Sequence, residues 1–215
     1  MDIKYLGHAS FSVKSKLGSV VMDPFDSKKV GFKFPSQEAD VVTVSHEHDD
    51  HNYLAAITGT PLIVNIPGEY EKNGIRIYGY ESYHDGNKGA DRGKNTLFKI
   101  VAEDISILHC GDLGHMLTEE ALEEIDTVDV LMIPVGGHYT ISADEAAKII
   151  SKIEPSIVIP MHYKTDEHDS EAFKDVAPLS DFLAKMGAGT IEPVKKLTIK
   201  KADLTDQMQI VVMEV

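Results

Sequence analysis

One short run constrains this chain more than anything else in it. Ser45-His46-Glu47-His48-Asp49-Asp50-His51 follows the apolar segment Val41 to Val44 and reads His-x-His-x-Asp-His. At the chain's own residue frequencies, that pattern arises by chance about 0.002 times per chain. Imidazoles and carboxylates are the ligands of borderline metals, and a sharp turn behind a rigid strand can aim His46 and His48 at one point. Asp50 and His51, further round the turn, then reach a second point nearby. The plain alternative is an exposed loop in which Asp49 and Asp50 cap a helix, but caps do not call for three histidines.

The fold must therefore supply strand ends, and the rest of the sequence does so. Ile3 to Leu6, Phe11 to Val13, Ser19 to Met22, Asp40 to Ser45, Pro61 to Ile66 and Ile75 to Gly79 read as strands punctuated by Gly, Pro and Asn-Gly. Asn95 to Val101 and Asp104 to His109 read as a hairpin. Helical spacing follows at Thr118 to Ile125, Ser142 to Ile153 and Ser170 to Met186, with the apolar strands Val130 to Ile133 and Ile157 to Ile159 between them. Thr198 to Lys200 and Gln209 to Val215 complete the strand set. Two β-rich halves with helices predict an α+β chain, two mixed sheets packed face to face with helices outside, in a single domain over 1–215.

The chain's 215 residues can bury a full core, and a formal charge of −14 repels phosphodiester backbones at long range. No Lys/Arg cluster announces a basic face, so no extended nucleic acid is expected as a partner. No apolar run is long enough to span a bilayer. A single cysteine, Cys110, and an N-terminus without a signal peptide's apolar core make the cytoplasm the expected compartment.

Further motifs fall in an order that resembles the metallo-β-lactamase superfamily of metal-dependent hydrolases, whose hallmark is the His-x-His-x-Asp-His loop. Leu6-Gly7-His8-Ala9-Ser10-Phe11, Arg92-Gly93-Lys94-Asn95-Thr96, Gly111-Asp112-Leu113-Gly114-His115, Pro134-Val135-Gly136-Gly137-His138-Tyr139-Thr140 and Pro160-Met161-His162-Tyr163 are similar to the small branch akin to ascorbate-6-phosphate lactonases. More distantly, they resemble the phospholipase D that acts on N-acylated phosphatidylethanolamines. The resemblance implies an αββα sandwich and two divalent metal ions. Zinc is favoured by ligand type, with manganese, iron or nickel suited to the same donors. It implies that His46, His48 and a third histidine hold one metal, that Asp50, His51 and His162 hold the other, and that Asp112 bridges them. Asp23, at a strand end, would support the metal loop from behind.

The third histidine is expected to be His84, just ahead of the hairpin leading to Asp112, although the Gly-His-Thr-x-Gly form of other branches is absent. His109 is its rival. Hydrolysis would proceed through a metal-activated water, with Asp50 orienting it and accepting a proton. The substrate is expected to be a small, anionic ester, lactone, amide or phosphoester, met by His8, Arg92, Asn95, His115 and His138 at the strand ends. Each has a plainer reading: His8 as a buried histidine, Arg92, Lys94 and Asn95 as a solvated loop, His115 and His138 as loop residues away from the pocket. His168, among acidic neighbours, reads as surface, and Cys110 as small buried filler. The competing functions are a nuclease or phosphodiesterase of the same superfamily and a metal-binding module without turnover. A homo-oligomer is left open.

Overall fold

A computed structural model describes residues 1–168 and 171–215. Its first strands, β1 (Asp2–Gly7), β2 (Ser10–Lys14) and β3 (Ser19–Met22), form an antiparallel meander. After the one-turn helix α1 (Ser27–Val30) and β4 (Gln37–Glu38), strand β5 (Val41–Thr43) returns parallel to β3. Strand β6 (Ile57–Thr58) pairs with β4 in a small separate ribbon, and β7 (Leu62–Val64) lies parallel to β5. The second sheet repeats this plan. Strands β8 (Gly68–Lys72), β9 (Ile75–Tyr83), β10 (Lys94–Ala102) and β11 (Ile105–His109) are antiparallel. Helix α2 (Glu119–Ile125) leads to β12 (Val130–Pro134), and α3 (Ala143–Ile153) leads to β13 (Ile157–Met161), both strands parallel to β11. After α4 (Leu179–Lys185), strand β14 (Leu197–Thr198) joins the first sheet beside β1, and β15 (Gln209–Ile210) ends the second beside β13.

Period-two alternation decides what faces what. Val20 and Met22 of β3 and Val41 of β5 point into the main core with Ile77, Phe98, Ile100 and Ile107 of the second sheet, so the sheets pack face to face. Val21 and Val42 point the other way, under Phe25, Val30, Phe32 and Phe34. The αββα expectation holds, with one difference in its outer layer. The first sheet is covered by α1 and the aromatic segment around it, because Phe25, Phe32 and Phe34 bury apolar area that a longer helix would otherwise supply.

The helices start where their capping residues place them. Thr118 accepts from the Ala121 N–H, and Ser142 with Glu145 forms a capping box. The expected helix from Ser170 to Met186 is shorter than its spacing implied. Ser170 lies outside the described residues, and helix begins only after Pro178, which lacks an N–H and disfavours helical geometry at Ala177. The C-terminal strand covers Gln209 and Ile210, not the whole of Gln209 to Val215. Strand β8 gave no sequence signal, because Gly68-Glu69-Tyr70-Glu71-Lys72 is an edge strand with little burial on either face. Among the described residues, no helix is long and apolar enough to cross a membrane.

This topology gathers chemistry at one end. Asp23 follows β3, the 46–51 loop follows β5, His84 follows β9, Asp112 lies just beyond β11, and His162 follows β13. In open parallel sheets the crevice beyond the carboxyl ends of the strands is where ligands are met.

Candidate active site

Asp112 stands at the centre of the gathered loops. One of its oxygens lies 3.1 Å from His84 Nε2, 3.3 Å from His162 Nε2 and 3.9 Å from His46 Nε2. The other lies 3.2 Å from His51 Nε2. Ligand-type atoms of His46, His48 and His84 fall within 4.8 Å of one another, and so do those of His8, Asp50, His51 and His162. All seven residues expected to ligate metal are thus brought together, with Asp112 touching members of both groups.

Close backbone approach makes this possible. A side chain at Gly114 would run into the backbone of His84, and one at Gly136 into the carbonyl of His162. His8, Asp23 and His162 adopt left-handed backbone geometry, with φ of 57°, 45° and 52°. Strain of this kind, of order 1–3 kcal/mol per residue, persists where surrounding structure over-determines it.

Asp23 sets the orientation of two imidazoles. Its carboxylate accepts from the Ser45 N–H at 2.8 Å, the Ser45 hydroxyl at 2.5 Å and His51 Nδ1 at 2.8 Å. With the Ser45 proton given to Asp23, His46 Nδ1 is the donor in its 2.9 Å contact with Ser45 Oγ. Both histidines are therefore anchored through Nδ1 and turn Nε2 toward Asp112, the usual way an outer carboxylate fixes a ligating histidine.

The turned atoms have nothing to bond. Among the described residues, His46 Nε2, His51 Nε2 and Asp112 Oδ1 are buried without a hydrogen-bond partner. Each such atom costs roughly 1–3 kcal/mol, and three facing one another call for a cation. Nitrogen and oxygen donors in this number fit a divalent transition metal. The charge balance agrees. Burial opposes charge on Asp112, yet His162 and His51 outweigh it and hold the carboxyl well below its ordinary range. Burial likewise opposes charge on His51, but Asp112 and Asp50 hold its pKa well above the usual histidine value. His46 goes the other way, lowered to about 3 by burial and by His51.

A cleft of about 510 Å³ opens onto the cluster, walled by Lys29, His48, Asp50, Arg92, Tyr139 and Phe173. Asp50 keeps 25% of its side chain exposed there, against 2% for Asp112. Asp50 can therefore meet an incoming molecule, whereas Asp112 can only hold what lies between the imidazoles. The Arg92 guanidinium sits 5.5 Å over the Tyr139 ring and pairs with no carboxylate among the described residues.

The other expected contacts lie elsewhere. Asn95 is buried, its amide donating to Ser82 Oγ and the Cys110 carbonyl while its oxygen accepts from the Asp112 N–H. It builds the Asp112 turn and has no group left for a substrate. His115 accepts from the Tyr83 N–H and donates to the Met116 carbonyl, so both ring nitrogens are occupied outside the cleft. His138 is exposed, its ring against Tyr139, and does not line the cleft. Lys94 is paired with Glu81 at 2.8 Å, which leaves Arg92 without its expected partner. His109 is spent on the Ala9 carbonyl in the core, at 2.7 Å, so His84 is the histidine that joins the cluster. Cys110 is fully buried, and burial pushes its thiol pKa up, in keeping with an inert filler.

His168 is a correction: it is buried at 6% exposure, where a surface position was expected. Phe32 and Phe173 pack on its ring, and its Nε2 lies 3.2 Å from His8 Nδ1. His8 is buried as well and contacts Asp50 at 3.3 Å. Burial, aided by His162, lowers the His8 pKa to about 4, and burial with His8 lowers that of His168 to about 3. Tyr139 and Phe173 escaped sequence reading because nothing in their own segments distinguishes a cleft wall from ordinary packing.

The family model for the β-lactamase superfamily domain matches residues 2–162. The chain belongs to this superfamily. A solved structure from Thermotoga maritima, described as a candidate Zn-dependent hydrolase of the metallo-β-lactamase superfamily, shares 36% identity with it at a TM-score of 0.81, covering 99% of this chain and 97% of its own. A UPF0173 metal-dependent hydrolase of Methanopyrus kandleri is 30% identical over 207 residues, 81% of this chain and 90% of that one. Another, from Thermoplasma acidophilum, is 29% identical over 204 residues, 82% and 91%. The superfamily's αββα sandwich is the fold described above.

Proposed function

We propose that this chain is a metal-dependent hydrolase of the metallo-β-lactamase superfamily acting on a small anionic ester, lactone, amide or phosphoester. The observation that carries the reading is the convergence of His46 Nε2, His51 Nε2 and Asp112 Oδ1, each buried without a hydrogen-bond partner among the described residues, beneath an open cleft lined by His48, Asp50, His84, Asp112 and His162. In this reading His46, His48 and His84 hold one divalent ion, Asp50, His51 and His162 a second, and Asp112 both, zinc being favoured by the donor set. Such ions, when bound, acidify water and stabilise negative charge on a carbonyl or phosphoryl oxygen. The names of the relatives, metal-dependent hydrolases, support this.

The protein's own groups supply the rest. Asp50, the carboxylate of the cluster with open access to the cleft, takes up the proton released as water attacks. Arg92, held over Tyr139, meets the anionic part of the substrate and orients it. A cleft of about 510 Å³ suits a metabolite-sized ligand. Lys29, the other cation on its wall among the described residues, is paired with Asp49 at 3.1 Å, so these residues offer no basic track for a polymer, which disfavours a nuclease. Ascorbate-6-phosphate lactonase-like chemistry fits these limits as one member of the class.

Two variants test the parts. Arg92→Ala should lower kcat/KM for an anionic ester by roughly 10–100-fold relative to a matched neutral ester, the worth of one charge-assisted contact. Lys94→Ala, whose partner is Glu81, should change neither; an equal effect of Arg92→Ala on both esters would remove Arg92 from substrate recognition. Asp23→Ala frees His46 and His51 from their anchors and should weaken zinc binding by roughly 10–100-fold in a chelator competition. Unchanged affinity would mean that the anchoring is dispensable.

A further inference from the structure

His8 and His168 lie outside the proposed ligand set, yet both are buried against it, in a box walled by Phe25, Phe32 and Phe173. His8 lies close enough to Asp50, His51 and His162 to count among the groups that could hold an ion. What His8 does depends on which of its nitrogens carries the proton, and the backbone decides that. The Thr165 N–H, which can only donate, points at His168 Nδ1 at 3.1 Å, with the Thr165 hydroxyl 3.2 Å from the same atom. His168 Nδ1 must therefore present a lone pair, so His168 is neutral and carries its proton on Nε2. That proton faces His8 Nδ1 at 3.2 Å, which must in turn accept. His8 is left with its own proton on Nε2, directed at Asp50 Oδ2 at 3.3 Å.

We infer that His8 is a positioning residue for Asp50: Thr165, His168 and His8 form a one-way hydrogen-bond chain that fixes this carboxylate, and His8 is neither a metal ligand nor a substrate contact. The alternative is excluded by counting protons. Were His8 to bind a metal through Nε2, its proton would sit on Nδ1 and donate to His168 Nε2. His168 would then have to accept at both nitrogens, which a neutral imidazole cannot do. The chain holds in place the one acidic group of the cluster with substantial access to the cleft. Outer partners of this kind orient a ligand and raise metal affinity.

The part concerning metal rests on the hydrolase reading, but the tautomers do not, and the experiment separates the two. Long-range 1H–15N correlation spectra of the metal-free protein report which nitrogen of each histidine is protonated. Signals are assigned by their loss in His8→Gln and His168→Gln. His8 and His168 should both show the Nε2–H pattern, and His115, which accepts at Nε2 and donates from Nδ1, should show the opposite pattern in the same spectrum. The His8 pattern should persist after zinc is added. An Nδ1–H pattern at His8, before or after zinc, would overturn the inference. A second arm compares zinc affinity in two variants of similar size. His168→Gln can still donate to His8 and should stay near the native affinity. His168→Glu can only accept, reverses the chain and should weaken zinc binding by roughly 10–100-fold. Equal affinities in the two would show that His168 merely fills space. Correct tautomers in a protein that takes up no zinc would leave the chain intact and end the metal reading alone.

Discussion

Replacement of Asp112 by alanine is expected to lower turnover by about 10³-fold or more and to strip the protein of most of its bound metal. Among the described residues, Asp112 is the one side chain within 3.3 Å of His84, His51 and His162 together, and so the one placed to serve both halves of the cluster. Metal stabilisation of developing charge is worth several kcal/mol, and each 1.36 kcal/mol is a factor of ten in rate. Removal of the carboxylate also takes away the anion that His51, His84 and His162 share. Loss of the carboxylate should therefore appear in metal content as well as in rate, and both are read on the same preparation by elemental analysis and steady-state kinetics. Lys94→Ala is the matched control, since Lys94 is exposed and engaged with Glu81. Equal metal content and activity in the two variants would sink the assignment of Asp112.

Removal of metal should lower the melting temperature by roughly 8–16 °C at pH 7.5, and the gap should narrow as the pH is lowered. A ligand at about 1,000 times its Kd stabilises by about 4 kcal/mol. In a chain of this size each kcal/mol is worth about 2–4 °C. The pH dependence follows from the charges. In the metal-free protein burial opposes protonation of His84, but its hydrogen bond to Asp112 and that carboxylate's charge win and raise its pKa; His51 is raised further by Asp112 and Asp50. Those two protons stand where a cation would stand. Their stabilising effect is fully present below the unfolded histidine value of about 6.5 and is lost as pH rises through the raised folded values. The depressed carboxyl of Asp112 contributes in the opposite sense, its share being lost only as pH falls through its low folded value. Metal must displace the two histidine protons, so its affinity rises with pH, by up to about tenfold per unit for each proton released. Melting curves with and without chelator at pH 6, 7 and 8 check this. A gap that is absent, or widest at pH 6, would contradict it.

How much of this was legible in the sequence follows from what each residue's chemistry demands. The 46–51 loop was legible because metal ligation restricts residue type and spacing at once. Asp23, Asp112 and His162 were expected from the superfamily resemblance of the motifs around them, each at the end of a recognisable strand run. His84 was preferred to His109 for its place just ahead of the hairpin leading to Asp112; in the fold, His109 shares a face of β11 with Ile105 and Ile107 and points into the core, whereas His84 lies in the turn after β9. Where burial is set by distant chain, sequence was silent. His168 has Asp166 and Glu167 beside it and reads as surface, yet Phe32 and Phe173 cover it. Asn95 carries a substrate-binding group in principle, but three local partners consume it. Lys94 lost its role to Glu81 on the neighbouring strand, a pairing that register alone reveals.

In the proposed reading the cluster around Asp112 holds metal and hydrolysis depends on it. This is tested most directly by stripping the protein with chelator and titrating zinc or manganese back, while bound metal and turnover of an ester, lactone and phosphodiester panel are followed in parallel. The expected result is a stripped protein without activity, uptake that saturates near two ions per chain, and turnover of a small anionic substrate that rises with occupancy. Full turnover by the stripped protein, or metal uptake that Asp112→Ala leaves unchanged, would contradict it.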